Sequence, residues 1–250
     1  MARPRLVSHS WPAAVYAIGD VHGCLDQLLD IEAQIVRDGL GLDGEKLLVT
    51  VGDHIDRGPA SAAVLAHVMS SPPDGFRRIA LLGNHEVLLL DFLDHPLEPE
   101  SWREQGGAET LASYGLDPFA PTPLLPAQFP ARDRGFMAGL PLYLLLPGWL
   151  FVHAGIRPGI PLADQTERDL LWIRAPFLSS QLTGGLRVVH GHTPSDDVVV
   201  TPHRIGIDTG CFASGKLSAV RITPDGRTKF FEAFGASAPQ SSRLRGSNRS

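Results

Sequence analysis

The sequence predicts an α/β fold, a sandwich of two mixed β-sheets flanked by helices, and three observations carry that prediction. Short apolar runs of strand length recur along the chain and end on polar residues. The first three of these ends, at Gly19, Gly52 and Gly83, lie 33 and 31 residues apart, the size of a β-α-β unit. After residue 195 the pattern turns from alternating strand and helix to nearly all strand, as expected when helices cover a mixed sheet.

The runs are AVYAI, KLLVTV, RIALL, WLFV and LRVV, each with the length of a buried strand and most rich in β-branched residues. Between the first two, Leu25, Leu28, Leu29, Glu32, Ile35 and Val36 form a largely apolar stripe at helical spacing. After Pro59, well suited to a first helical turn, Ala62, Leu65, Val68 and Met69 repeat the pattern. The stretch EVLLLDFL (86–93) is apolar nearly all round, which predicts a buried helix. Downstream, VVVT, IGIDTG, LSAVRI and KFFEAF read as successive strands, with turns at Pro202-His203, Gly215-Lys216 and Asp225-Gly226.

A chain of 250 residues, 43% apolar, can bury a substantial core. The expected organisation is an N-terminal extension (1–13), one catalytic domain (14–235) and a disordered Arg/Ser-rich tail (236–250), with 96–148, proline-rich toward its end, as a cap insertion. A net charge of −5 argues against a nucleic-acid partner. No apolar run approaches the roughly 20 residues of a membrane span, and two cysteines imply no disulfide framework. A soluble, cytoplasmic monomer is the default.

The strand ends gather Asp20, His22, Asp53, Asn84, His153 and His192. In open α/β sheets ligands bind at the carboxyl ends of strands. Carboxylate, imidazole and amide donors without thiolate suit Mn, Fe, Zn or Mg. Six ligands exceed what one open catalytic ion takes and fit two ions sharing a carboxylate. Two such ions, about 3.5–4 Å apart, can activate a water and clamp an in-line phosphoryl displacement.

The blocks GDVHG (19–23), GDHIDRG (52–58), GNHE (83–86), HAG (153–155) and HGHT (190–193) resemble, in order, the signatures of calcineurin-like metallophosphoesterases, and more closely the phosphoprotein phosphatase branch with its bacterial and phage members. The resemblance implies two divalent ions, Mn²⁺ ahead of Fe, Zn or Mg. Asp20, His22 and Asp53 would hold the first. Asp53 would bridge to the second, completed by Asn84, His153 and His192. His85 would protonate the leaving oxygen, held by Asp56. Arg57, Arg174 in LLWIR and the amide of Asn84 would face the substrate phosphate. Glu86 is expected to fix its turn and His190 to lie behind His192. His54 faces either substrate or scaffold, Arg157 is structural, Asp208 orders a turn near His192, and Trp102 is a core residue.

The leading reading is a phosphomonoesterase acting on phosphoserine or phosphothreonine, extending to phosphotyrosine, with a phosphoprotein or small phosphoester as partner. The alternative is a symmetrical dinucleoside-tetraphosphate hydrolase. That branch shares GDVHGC and HAGI but typically carries alanine at the position of Asp56, aspartate at Glu86 and tryptophan at Thr193. A non-catalytic metal-binding scaffold would be expected to have lost Asp53, Arg57 or His85, and all three are present.

Overall fold

The computed structural model describes residues 3–95, 102–181 and 183–235; the expected tail at 236–250 lies outside them. In the first sheet, strands β2 (Ala14–Ile18), β3 (Lys46–Thr50) and β4 (Phe76–Ala80) run parallel. Antiparallel β10 (Lys216–Ile222) and β11 (Thr228–Phe234) continue it on the β2 side. The second sheet has the order β1 (Leu6–Val7), β5 (Tyr143–Leu146), β6 (Trp149–Val152), β7 (Arg187–His190), β9 (Arg204–Gly206), β8 (Val199–Val200). There β6, β7 and β9 are parallel; β5 runs antiparallel to β6 but parallel to the edge strand β1, and β8 runs antiparallel to β9.

Strand periodicity sorts side chains onto two faces. Val15 and Ala17 of β2 and Leu47 and Val49 of β3 join Phe151, Val189, Val220 and Ile222 in the core between the sheets. Ala14, Tyr16, Ile18 and Leu48 belong instead to the helix-facing core, with Leu28, Ile31 and Ile35 of α1 (Leu25–Gly39). Leu29, expected in the α1 stripe, is 44% exposed. The buried face runs through Leu28, Ile31, Glu32 and Ile35, and one step of the helix carries Leu29 off it. Glu32 tolerates burial because Arg78 and His67 both reach it at 2.8 Å.

The second helix, α2 (Ser61–Val68), follows Pro59 as predicted, and α3 (Asn84–Asp94) begins inside the GNHE block. Of the expected cap segment, residues 96–101 lie outside the described chain. Arg103–Gly107 and α4 (Ala108–Ser113) pack beside the loop that follows β3, where Arg57 N donates to Gly106 O at 3.1 Å and Ala62 N to Ser113 Oγ at 3.0 Å. Further on, α5 (Leu125–Gln128) and α6 (Ala131–Ala138) lead into β5, so the end of the segment supplies a sheet strand. The stretch Leu6–Val7 likewise adds the edge strand beside β5.

At the end of α1, Asp38 ties the helix to the first sheet. It accepts from Tyr16 Oη at 2.8 Å, from Arg221 Nη1 at 2.7 Å and from Lys229 Nζ. Burial alone would raise this carboxyl's pKa; the bonds from Lys229, Tyr16 and Arg221 outweigh that and hold it below the usual carboxylate range. A depressed folded pKa stabilises the protein above the unfolded value of about 3.9 and loses that contribution as pH falls through the folded value. Asp38→Asn should therefore cost about 1–2 kcal/mol at pH 7. Urea denaturation should show the gap to wild type closing below about pH 4; a gap independent of pH would remove the carboxylate's charge from the account.

Candidate active site

The loops leaving β2, β3, β4, β6 and β7 meet at one edge of the sandwich, and Asp53 lies where they converge. Its Oδ2 is 3.5 Å from His22 Nε2 and 4.0 Å from His85 Nε2, and its Oδ1 is 3.5 Å from His153 Nε2. Two triads close enough to hold an ion share it: His22, Asp53 and His85, and Asp53, His153 and His192. Asn84 Oδ1 faces the second triad, 2.8 Å from His153 Nε2 and 2.9 Å from His192 Nδ1. Asp20 stands beside both groups, its Oδ2 accepting from His192 N at 2.9 Å.

Backbone carbonyls aim two of the imidazoles. His22 Nδ1 donates to Ile55 O at 2.7 Å and His153 Nδ1 to Val51 O at 3.0 Å, which leaves each Nε2 lone pair on the cluster side, 3.5 Å from an Asp53 oxygen. Burial pushes His22, His153 and His192 each down to about 3, so all three are neutral, the form a metal takes. The carboxylates show the converse. Burial, with the charges of Asp208 and Asp53, raises Asp20 well above the ordinary carboxylate range. Asp20 Oδ1 is buried with no hydrogen-bond donor. Asp208, whose Oδ1 accepts from Gly210 N at 2.9 Å in the expected turn, is itself pushed up to about 6 by burial. Uncompensated buried negative charge among neutral imidazoles is relieved by cations, so the residues present fit divalent metal.

His85 is held differently. Its Nδ1 donates to Asp56 Oδ2 at 2.7 Å, and Asp56 also accepts from Trp102 Nε1 at 2.8 Å and Thr110 Oγ1 at 2.7 Å. Burial alone would lower the His85 pKa, but the charges of Asp53 and Asp56 and the bond to Asp56 outweigh it, and the net direction is up. An imidazole fixed through Nδ1, with its charged form favoured and Nε2 4.0 Å from Asp53 Oδ2, is placed to donate from Nε2.

Glu86 holds the frame. It is fully buried and accepts from Gly83 N at 2.8 Å, Asp53 N at 3.0 Å and His54 N at 2.7 Å. Burial would raise its pKa; the charge and bonds of His54, with the Gly83 amide, hold it at about 2. His54, its other nitrogen 2.7 Å from Thr50 Oγ1, is scaffold and does not face substrate. A side chain at Gly83 would collide with the Asp53 amide, and one at Gly191 with the Asp20 carboxylate. Among the described residues five non-glycine residues have positive φ, His22, Asp53, Asp56, Arg57 and His192, and all belong to the site.

A cavity of about 710 Å³ opens over this cluster, with Asp53, Asn84, His85 and His192 on its lining. Arg57, Arg157, Arg168 and Arg174 line it as well. Arg157 is bound to Asp169, at 2.6 Å from Nη2 and 3.1 Å from Nε, the structural role expected of it. Arg57 Nη1 lies 2.9 Å from His22 Nε2, with the guanidinium 4.6 Å from the ring centre of half-exposed Phe212. Among the described residues no carboxylate lies within ion-pair distance of Arg57, Arg168 or Arg174.

The structure thus brings every sequence-predicted site residue to one place. Asp20, His22, Asp56 and His153 lie behind the cavity wall, and His190 packs behind His192 with Nδ1 on Gly191 O and Nε2 toward Arg204. Sequence reasoning missed Thr110, Arg168 and Phe212, and read Trp102 as core without its bond to Asp56. Thr110 and Trp102 sit in a segment with no recognisable block. Arg168 carried a usable signal, standing four residues, one helical turn, before Trp172 in the LLWIR stretch that ends on Arg174.

The comparisons agree with this geometry. The chain is 29% identical to the asymmetrical bis(5′-nucleosyl)-tetraphosphatase PrpE of Bacillus velezensis, over 82% of this chain and 87% of that protein. It is 32% identical to the symmetrical bis(5′-nucleosyl)-tetraphosphatase of Aromatoleum aromaticum, covering 87% and 70%. With serine/threonine-protein phosphatase 2 of Salmonella typhimurium it shares 27% identity over 83% and 92%. Residues 13–223 match the family described as calcineurin-like phosphoesterase. A hydrolase with a metal-binding cluster at the strand ends of a two-sheet sandwich, the chain belongs to the calcineurin-like phosphoesterase family.

Proposed function

We propose that this hydrolase cleaves the phosphoanhydride chain of bis(5′-nucleosyl) polyphosphates. The observation that carries this reading is the cavity. Three guanidinium groups without a carboxylate partner line it, beside a metal-binding cluster, in a chain whose net charge is −5. Such a wall suits an anion of several charges better than a single phosphate on a peptide. The similarity to two dinucleoside tetraphosphatases supports the same substrate class. The order of preference drawn from the sequence alone is therefore reversed, although Asp56, Glu86 and Thr193 still depart from the symmetrical pattern.

In this reading Asp20, His22 and Asp53 hold one ion, and Asp53, Asn84, His153 and His192 the other. Two bound divalent ions, Mn²⁺ the best fit, supply Lewis acidity and lower the pKa of water within reach of phosphorus. Arg57 and Arg174 hold the scissile phosphate in line and meet its developing charge. His85, its ring fixed and its charged form favoured by Asp56, faces the leaving oxygen with Nε2, where it hydrogen-bonds a departing nucleotide phosphate without having to protonate it.

A second reading, phosphoprotein hydrolysis, has its own observation. The His85–Asp56 pair is buried and locked by Trp102 and Thr110, and a seryl alkoxide needs a proton to leave whereas a nucleoside phosphate does not. Metal-stripped protein reloaded in turn with Mn²⁺, Mg²⁺, Zn²⁺ or Fe²⁺ should be assayed on diadenosine tetraphosphate and phosphoserine peptides. We expect no activity without metal, the highest with Mn²⁺, and kcat/KM favouring the dinucleotide at least about tenfold. Chromatography of products then separates symmetrical cleavage (ADP alone) from asymmetrical cleavage (ATP with AMP). A preference for the phosphopeptide would install the second reading in place of the first.

A further inference from the structure

We propose that Arg168 forms a distal phosphate subsite, a specificity-determining contact that grips a phosphate of the substrate beyond the one being cleaved. The inference rests on the nucleotide reading and deepens it.

The three cavity arginines that have no carboxylate partner among the described residues are not equivalent. Arg57 is bound to the metal cluster through His22 Nε2 and stacked on Phe212. Arg174 lines the cavity with His192, Asn84 and Asp53. Both therefore act where phosphorus is attacked. Arg168 is exposed, makes no described hydrogen bond or ion pair to a side chain, and lines the cavity together with Asp169, its neighbour in the chain, and Arg157. It stands in the short helix α7 (Glu167–Trp172), on the same face as Trp172, which also lines the cavity. Four residues of helix displace it about 6 Å along the axis from Trp172, away from the Arg174 end.

Asp169, the carboxylate that follows Arg168 in the chain and lines the same cavity, is already taken by Arg157, whose bidentate grip also holds it below the ordinary carboxylate range. Thr166 Oγ1 donates to it as well, at 2.8 Å. The pair Arg157–Asp169 thus neutralises itself and pins α7, leaving the Arg168 guanidinium a fixed base and an open cavity in front of it. A single phosphate held by Arg57, Arg174 and the triads would leave that volume empty. A chain of phosphates leaving the scissile one would run along this wall, and its next charges would meet Arg168.

The test uses the intact protein with Mn²⁺ in excess, hydrolysing nitrophenyl phosphate, and two competitive inhibitors: orthophosphate and a diadenosine tetraphosphate with methylene bridges. Arg168→Ala should leave kcat on nitrophenyl phosphate and inhibition by orthophosphate within about twofold of wild type, which also shows that the variant folds. Its inhibition constant for the bridged dinucleotide should rise roughly tenfold, the weight of one charge-assisted contact. Arg168→Lys should recover part of the loss, since it restores a charge without the fork. An unchanged constant for the bridged dinucleotide in Arg168→Ala would overturn the subsite and leave the nucleotide reading standing. A wild-type enzyme inhibited by orthophosphate but indifferent to the bridged dinucleotide would overturn both, before any variant is made.

Discussion

Asp53→Asn is expected to lower kcat/KM on the order of 10³-fold or more and to lose bound metal with it. Asp53 is the only residue common to both triads, and its Oδ1 also accepts from His85 N at 3.0 Å. An amide there removes the shared charge, and its NH₂ group cannot accept a metal or a backbone proton. Changing His22 or His153 empties one half of the cluster; changing Asp53 weakens both. Elemental analysis alongside kinetics would check this. The variant should melt as a folded protein with less than one ion per chain, and two retained ions with normal turnover would end the shared-ligand account.

The second large effect belongs to His85 and depends on what leaves. His85→Asn should cost about 10²–10⁴-fold on a phosphoserine peptide, the usual range for a general acid. It should cost far less on nitrophenyl phosphate or on diadenosine tetraphosphate, whose leaving groups are stable without a proton. Asp56→Asn should follow the same pattern more mildly, because it acts through the imidazole. Metal content must accompany both measurements, since His85 Nε2 lies 4.0 Å from Asp53 Oδ2 and belongs to one triad. An equal fall on all substrates with metal retained would mean that His85 positions phosphate and donates no proton.

Much of this site was legible in the sequence because it is built from strand ends. A run such as AVYAI or KLLVTV fixes where a strand stops, and the residues that follow are forced to the same edge of a parallel sheet. Metal ligands therefore appear as short blocks whose order survives in one dimension. The contacts that hold Asp56 do not. Trp102 and Thr110 lie 46 and 54 residues away and reach it through side chains alone, from a segment whose helices begin without recognisable caps. The weak strands were lost for a related reason. Leu6–Val7 gives too few residues for a period, and IGIDTG reads as one run although β9 ends at Gly206 and the chain turns inward toward Asp208. Leu29 shows the reverse error, a leucine beside the stripe that counts toward it in sequence and faces water in the fold.

The five positive φ angles carry a consequence for how this chain can change. An L-residue in that backbone region costs roughly 1–2 kcal/mol, and five such residues together rival the margin of about 5–15 kcal/mol by which an ordinary domain stays folded. Glycine would relieve the conflict at each. A laboratory selection for heat resistance, blind to turnover, would drift toward glycine at His22, Asp53, Asp56, Arg57 and His192. The mutations it accumulated would outline the active site without a substrate ever having been added.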